Sequence, residues 1–166
     1  MNTNNFLNPQ NFKFLLKRAP NLEFFVQGIS LPGLHLPSID ISNQFVPIKG
    51  SNTHMSYDPL MVKFKIDENM RNYDEIYDWI CKRGFPSTYD QYRSINQEKP
   101  TSGKWIYSDI SIIIENSNHQ GIAEYQIIDA FPTSLSSIEL NTTDNNVQFI
   151  SATATFEFTR MLFDLL

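Results

Sequence analysis

The stretch LMVKFKID, residues 60–67, alternates apolar and polar side chains along its whole length. Its apolar members are Leu60, Val62, Phe64 and Ile66. Successive side chains of a β-strand point to opposite faces of the sheet, so this period of two predicts a strand with one buried face. Residues 150–159 repeat the pattern, with apolar side chains on one face and mostly Ser and Thr on the other. These two stretches predict a protein built mainly from β-sheet.

One convincing helix is predicted after the first of these strands. Its apolar positions, which recur at helical spacing, are Tyr73, Ile76, Tyr77 and Ile80. Asn72 followed three residues later by Glu75 is typical of a capped helix start, and Gly84 with Pro86 would end the helix. The sequence therefore predicts a mainly β fold with one main helix, of the α+β class.

The remaining elements are shorter. Residues 8–18 predict a short N-terminal helix, because Asn followed by Pro suits a helix start. Residues 107–116 and 122–130 predict a hairpin, after which Phe131-Pro132-Thr133 would interrupt the ladder. Residues 147–161 predict one final strand. All of these elements fit a single domain, 1–166, since domains of about 100–150 residues are the commonest size.

Two internal segments lack sustained periodicity. Residues 47–59 and 86–105 are predicted to be extended loops, and residues 1–20 an N-terminal arm or short helix. Loops of this length in compact domains are usually functional or disordered. In a protein that assembles, the loop at 47–59 could become ordered against a neighbouring subunit.

The charge balance argues against several classes of function. The net charge is −5 and the isoelectric point about 5.1, which disfavours binding nucleic acid through clustered Lys and Arg. A single cysteine, Cys81, excludes an intrachain disulfide. We expect no signal peptide and no membrane span, because no run approaches about 18 apolar residues.

No set of metal ligands stands out. The histidines His35, His54 and His119 lie in separate predicted turns or loops, without a second His or Cys at metal-ligand spacing. Cys81 on an amphipathic helix is more often a small core residue than a nucleophile. We therefore expect no metal and no nucleophilic cysteine.

The densest carboxylate group, at 74, 75 and 78, is better explained by the helix dipole than by acid–base chemistry. No glycine-rich phosphate loop lies at a strand-to-helix junction. The sequence predicts no catalytic residues, no cofactor and no enzymatic activity.

Three aromatic residues of the long segment, Tyr89, Tyr92 and Trp105, allow two interpretations. They could form a platform on which sugars stack, or they could anchor a subunit interface, where Tyr and Trp are enriched. We favour the interface.

The order of these elements resembles the tail tube proteins of contractile-tailed, T4-like bacteriophages. The residues that carry the resemblance are Asn21-Leu22-Glu23-Phe24-Phe25-Val26 and Ile29-Ser30-Leu31-Pro32-Gly33, which look like the first strand of the family and its turn. The likeness continues through the strand at 60–66, the helix around 73–79 and the closing strand that ends in Phe156-Glu157-Phe158.

The resemblance implies an antiparallel β-sandwich or partial barrel that contributes to a barrel shared between subunits. It implies homohexameric rings that stack into a tube inside the sheath of a virion tail, made in the host cytoplasm. The implied partners are the tail sheath protein and the baseplate and tail terminator proteins. During ejection, phage DNA would pass through the lumen without specific binding.

The resemblance also implies site residues. We assign the polar face of the final strand, Ser151, Thr153, Thr155 and Glu157, to the lumen, because a wet channel needs a polar wall. We assign the contact between rings to Lys49, Ser51 and His54. We assign the subunit interface to Tyr89, Tyr92 and Trp105.

Two alternatives remain open at this point. The chain could be a baseplate or tail-end homologue of the tube protein, a tube initiator present in a few rings. It could also be a stand-alone β-sandwich that binds carbohydrate.

Overall fold

The computed structural model describes residues 6–42, 44–84, 107–141 and 149–166. The strands are β1 (Phe12–Leu16), β2 (Val26–Ser30), β3 (Leu34–His35), β4 (Ser38–Ile41), β5 (Ile48–Ser51), β6 (Ser56–Tyr57), β7 (Leu60–Lys65), β8 (Ser108–Glu115), β9 (Gly121–Leu135), β10 (Ser151–Glu157) and β11 (Arg160–Leu165). The helices are α1 (Pro20–Glu23) and α2 (Arg71–Gly84). Within these ranges, neither helix is long and apolar enough to cross a membrane.

Two antiparallel sheets share the long strand β9. Sheet I has the order β1-β8-β9-β11 and uses the first part of β9, up to Ala130. Sheet II has the order β9-β10-β7-β2 and uses the last part of β9, from Phe131 to Leu135. Asp129, with a φ of 56°, marks the bend where β9 passes from one sheet to the other. The described part of the chain is thus a mainly β partial barrel that does not close.

The core lies between the two sheets and under α2. Its strand residues are Phe14, Leu16, Ile110, Ile112, Ile127, Leu60, Val62, Phe64, Ala152, Ala154 and Phe156. Helix α2 contributes Ile76 and Trp79, and the Trp79 ring lies 6.1 Å from that of Phe156, centroid to centroid. Burying each large apolar side chain contributes about 1.5–3 kcal/mol, so these layers supply most of the stability.

The predicted strand at 60–67 and the predicted helix are confirmed. In β7, Leu60, Val62 and Phe64 are buried, and α2 covers almost the range that the helical spacing indicated. The prediction that Asn72 caps the start of this helix is wrong. Asn72 lies inside the helix and is fully buried, where its side-chain amide donates to the Lys65 carbonyl at 2.7 Å.

The predicted N-terminal helix at 8–18 is wrong. The chain forms the edge strand β1 there, paired with β8, and Phe14 and Leu16 are buried in the core. Phe12, Phe14 and Leu16 also fit a period of two, and pairing with β8 decides between the two patterns.

The predicted loop at 47–59 is also wrong. Residues 48–51 and 56–57 are strands that return along β4 and β3, so this segment is one limb of a long hairpin.

The predicted final strand is in fact two strands. β10 ends at Glu157, and β11 begins at Arg160 and joins sheet I beside β9. Phe131-Pro132-Thr133 does not interrupt β9. Pro132 pairs with Phe156 next to a register shift, a place where a missing N–H is tolerated.

Candidate functional site

A long hairpin, residues 33–58, projects from the sandwich and is called the arm below. Its inner rungs are β3 with β6 and β4 with β5. The Asp58 amide donates to the Gly33 carbonyl at 3.1 Å and the Asn52 amide to the Pro37 carbonyl at 3.2 Å. The arm is therefore a continuous hydrogen-bonded ribbon.

The base of the arm is anchored by three contacts. His35 Nε2 lies 2.9 Å from Asp58 Oδ2, and the rings of Tyr57 and Phe158 lie 5.3 Å apart, centroid to centroid. A Cβ at Gly33 would come within 2.6 Å of Asp58 Oδ2, so a larger residue there would displace the Asp58 carboxylate from its contact with His35. These contacts fix where the arm leaves the sandwich.

The arm exposes an unusual amount of apolar surface. Its exposed apolar side chains are Leu34, Leu36, Ile39, Ile41, Phe45, Val46, Ile48 and Met55. At the tip, Phe45 is 86% exposed. Apolar surface of this kind usually marks an interaction site, because exposing apolar side chains to water is unfavourable and a partner would bury them. The arm is the clearest candidate for contact with another subunit.

The residues predicted to contact a neighbouring ring lie on the return limb of the arm. Lys49 forms an ion pair with Asp40, its cross-strand partner in β4. Ser51 ends β5 with its hydroxyl donating to the Asn52 carbonyl at 3.2 Å, and His54 is exposed in the next turn. The structure thus brings the three together, but the apolar neighbours that surround them were not singled out from the sequence.

The outer face of sheet II is the second candidate surface. The cross-strand pairs Ser151 with Lys65, Thr153 with Lys63, and Thr155 with Met61 share this face. Ala152 and Ala154 alternate with them and are buried in the core. Directly opposite residues of antiparallel strands point to the same side. Ser151, Thr153 and Thr155 therefore share the outer face with Lys63 and Lys65 and are half-buried there, while Glu157, two positions further along β10, is exposed.

Both edges of sheet II are open. In the described ranges, no strand pairs with the second edge of β2, nor with the second edge of β9 after Ala130. The three intervening pairings are all antiparallel, so β2 and the end of β9 run in opposite directions. An open strand edge is a template for pairing with another chain. Two copies could join β2 to β9 and continue the antiparallel order.

Two of the three carboxylates that the sequence grouped on α2 have partners within the chain. Asp78 forms an ion pair with Lys82 at 2.6 Å, and Glu75 accepts a hydrogen bond from the Asn21 side chain at 2.6 Å. Cys81 is half-buried, and its hydrogen bond to Tyr77 raises the pKa of Tyr77. No three His, Cys, Asp or Glu side chains come together as metal ligands in the ranges described. Tyr89, Tyr92 and Trp105 lie outside the described residues.

A charge cluster with one buried member, Glu115, and two exposed members, Lys13 and His119, joins β1 to the β8–β9 turn. Glu115 is 5% exposed, and its carboxylate contacts Lys13 Nζ at 2.5 Å and His119 Nδ1 at 3.4 Å. The hydrogen bond from Lys13 lowers the pKa of Glu115, burial opposes this change, and His119 reinforces it. We assign this cluster a structural role: the ion pair between Lys13 of β1 and Glu115 of β8 holds the two strands together.

Comparison with known proteins gives a consistent result. The family model described as "Phage tail tube protein" matches residues 3–164. The tail tube terminator protein of Enterobacteria phage T4 is 23% identical over 136 residues, which cover 80% of this chain and 73% of the phage protein.

Solved structures share the fold. The cap that terminates the tube of the anti-feeding prophage aligns with a TM-score of 0.63 and 14% identity, over 100% of this chain and 95% of the cap protein. A chain of the sheath–tube complex of PVC, an extracellular contractile injection system, aligns with a TM-score of 0.60 and 14% identity, over 99% and 95% of the two chains. Likeness at this identity establishes the fold.

Proposed function

Because this chain belongs to the phage tail tube protein family, we propose that it is a structural subunit of the tube of a contractile tail. It acts by forming closed rings of six copies around a channel, and it performs no catalytic step. The observation that carries this proposal is the pair of open edges on sheet II, which run antiparallel and can pair with each other between copies.

Ring closure accounts for the shape of sheet II. At the usual inter-strand spacing, six four-stranded sheets give a barrel about 37 Å across between facing backbones, before strand tilt widens it. Closing the barrel pairs every open edge and removes the aggregation hazard that such edges carry. The outer face of sheet II, with Ser151, Thr153, Thr155 and Glu157, then becomes the wall of the channel.

The arm supplies the contact between stacked rings in this proposal. Its apolar side chains would be covered by the next ring, and Lys49, Ser51 and His54 would lie beside them on the return limb. The subunit interface within a ring includes Tyr89, Tyr92 and Trp105. The sheath surrounds the tube, so the chain resides in the virion tail.

A second candidate function is a ring that ends the tube. It is supported by the T4 relative, whose name is tail tube terminator protein, and by the anti-feeding prophage cap that shares the fold. A main tube subunit must stack through both ends of its ring, whereas a terminal ring stacks through one. Electron microscopy of the purified protein separates the two: long tubes indicate the main subunit, and single or paired rings indicate the terminator.

Cysteine cross-linking tests ring closure directly. In a Cys81→Ser background, Gly28→Cys is placed on β2 and either Thr133→Cys or Ser134→Cys on the end of β9. A Cβ at Gly28 meets no atom within 4 Å, so the change is tolerated. Within one chain the two edges are about 14 Å apart across three inter-strand spacings, too far for a disulfide. Any disulfide must therefore join two copies.

We expect mild oxidation to give a ladder that stops at six copies. The single-cysteine variants are the matched controls and should give dimers at most. A protein that remains monomeric with both cysteine pairs, and that shows no rings by electron microscopy, would contradict the proposal.

A further inference from the structure

A groove lies between β1 and β2, the two strands at the ends of the hydrogen-bonded path through both sheets. Its volume is about 440 Å³. Residues of β1, among them Lys13 and Leu15, line one wall, and Glu23, Val26 and Gln27 line the other. In the described ranges, the first residues of β2 therefore border an open space and not another strand.

The two walls of the groove offer different backbone edges. On the β1 side, Glu23 Oε1 accepts a hydrogen bond from the Leu16 amide at 2.5 Å, so this edge amide already has a partner. On the β2 side, pairing with β7 is regular over residues 28–30 and is interrupted by a bulge at Gln27. A bulge bends its strand and disrupts regular pairing. A strand added to β2 would therefore pair with residues 28–30 and leave β2 at Gln27.

The direction of the strands determines which segment reaches the groove. In the proposed ring, the end of β9 of one copy lies antiparallel to β2 of the next. The chain that follows Leu135 must then run from residues 28–30 toward Gln27 and Glu23, which line the groove. Residues 136–140, with the sequence Ser-Ser-Ile-Glu-Leu, would span about 17 Å if extended. They are long enough to cross the groove.

Both sides of this contact expose apolar side chains. Leu140 is 81% exposed in the incoming segment, and Phe24, which precedes β2, is 83% exposed. Phe25 and Leu15 are exposed to a smaller extent beside the groove. Removing apolar surface from water is the main favourable contribution to most protein association. The segment and the groove would each cover apolar surface that the other leaves exposed.

The free charges are also complementary. Glu139 in the segment and Lys17 at the end of the β1 wall are both exposed, and neither forms an ion pair with the described residues. The two charged groups within the groove are already engaged, because Lys13 contacts Glu115 and Glu23 accepts a backbone hydrogen bond. An exposed pair between Glu139 and Lys17 would contribute more to orientation than to affinity.

We propose that the groove between β1 and β2 receives residues 136–140 of the adjacent copy in the ring. The inference rests on the proposed function, and it adds a contact between side chains to the pairing of strand edges. Strand pairing over residues 28–30 is short, and short pairings specify their register weakly. Packing of Leu140 on Phe24 would fix the register, since a shift along β2 would separate the two side chains.

Cross-linking between two separate variants tests this contact. In a Cys81→Ser background, Phe24→Cys and Leu140→Cys are prepared separately and mixed before assembly. A disulfide between the two variants must join two copies, because each chain carries one cysteine. We expect this disulfide after mild oxidation of the mixed rings. Neither variant alone should give it, nor should Leu140→Cys mixed with Tyr77→Cys, whose cysteine lies on the exposed side of α2.

Replacing Leu140 with Ser tests the contribution of the contact to assembly. The variant should need at least about tenfold more protein to form rings, because apolar anchors dominate interface energy. Its urea unfolding as a monomer should match the wild type, since the side chain is exposed. Tyr77→Ser, which removes a comparable exposed side chain outside the groove, should assemble normally. If Leu140→Ser does not fold, the cross-linking result decides.

The outcomes separate this inference from the proposed function. Rings that give the disulfide between Gly28→Cys and Thr133→Cys, but none between Phe24→Cys and Leu140→Cys, would overturn the inference and leave the ring intact. A folded Leu140→Ser that assembles like the wild type would do the same. A disulfide within single molecules that carry both Phe24→Cys and Leu140→Cys would assign the groove to the segment of its own chain and also overturn the inference. Failure of the wild type to form rings would overturn both.

Discussion

Glu115 is a nearly buried carboxylate whose ionisation affects the attachment of β1. It is nearly buried between β1 and the β8–β9 turn, and it keeps its charge there because Lys13 donates to it and His119 lies close by. A carboxyl with a lowered pKa stabilises the folded state at pH values above its unfolded pKa, and this stability is lost as the pH falls through the folded pKa. The attachment of β1 is thus sensitive to acid.

Replacing Lys13 with Gln should make the protein lose stability at a higher pH than the wild type. The change removes the largest cause of the lowered pKa of Glu115 and leaves burial to raise it. Thermal unfolding followed from neutral pH to about pH 3 measures the effect. Lys17→Gln, which removes a charge without touching Glu115, is the control and should follow the wild-type curve. An unchanged acid midpoint in Lys13→Gln would contradict this account of the cluster.

The arm exposes apolar side chains that an isolated monomer would be expected to bury. Among the described residues its strands pair only with each other, and neither β4 nor β5 has a buried residue. The hydrogen bonds of the ribbon and the anchoring contacts at its base maintain its shape, but no apolar core supports it. A two-stranded ribbon without a core is only marginally stable in water, so in the proposed assembly the arm would gain most of its burial from a neighbouring subunit.

The double change Phe45→Ser/Val46→Ser should leave the monomer folded and weaken ring stacking. Both side chains are well exposed, so the free energy of unfolding should change by less than about 0.5 kcal/mol. Stacking should weaken at least about tenfold, because aromatic and apolar anchors dominate interface energy. Sedimentation measures stacking and urea unfolding measures stability.

Two further variants define the specificity of this effect. Tyr77→Ser removes a comparably exposed aromatic from α2, outside the arm, and should stack normally. Lys49→Gln should have a smaller effect than the double change, since Lys49 is already paired with Asp40 in its own chain. A double variant that stacks like the wild type would rule out the arm tip as the contact between rings.

At the scale of the whole molecule, the central strands of sheet II are paired on both sides and its described edge strands on one side. Strands β7 and β10 lie in the middle of sheet II with partners on both sides, while β2 and the end of β9 each have one partner in the part of the chain that the structure describes. Backbone amides that lack a strand partner exchange readily with solvent, and pairing protects them. Assembly should therefore change the edges and leave the centre as it is.

Hydrogen exchange should show this difference between dissociated subunits and assembled rings. On ring formation we expect amides of β2 and of residues 131–135 to slow by at least about tenfold, because new strand pairs protect them. Amides of β7 and β10 should be protected in both states and serve as internal controls. Equal exchange at the edges before and after assembly would show that the rings close by another surface.

Short-range patterns predicted a large part of this architecture. The alternation at 60–67 predicts the buried face of β7 correctly. The helical spacing after residue 72 predicts α2, with Ile76 buried, but Tyr77 is exposed and Trp79 takes a buried position instead. The family resemblance carried by residues 21–33 is confirmed by the match to the tail tube family over residues 3–164. Local periodicity is reliable here because each of these elements buries one continuous apolar face.

Other features depended on contacts between residues far apart in the chain. Phe12, Leu15 and Leu16 fit one face of a helix, whereas Phe12, Phe14 and Leu16 fit one face of a strand, and the pairing of β1 with β8 decides between them. The return limb of the arm looked like a loop because its alternation is weak without β4 beside it. The face that joins Lys63 and Lys65 to Thr153 and Ser151 exists only once β7 and β10 are in register, since cross-strand neighbours are set by tertiary pairing and cannot be derived from local spacing.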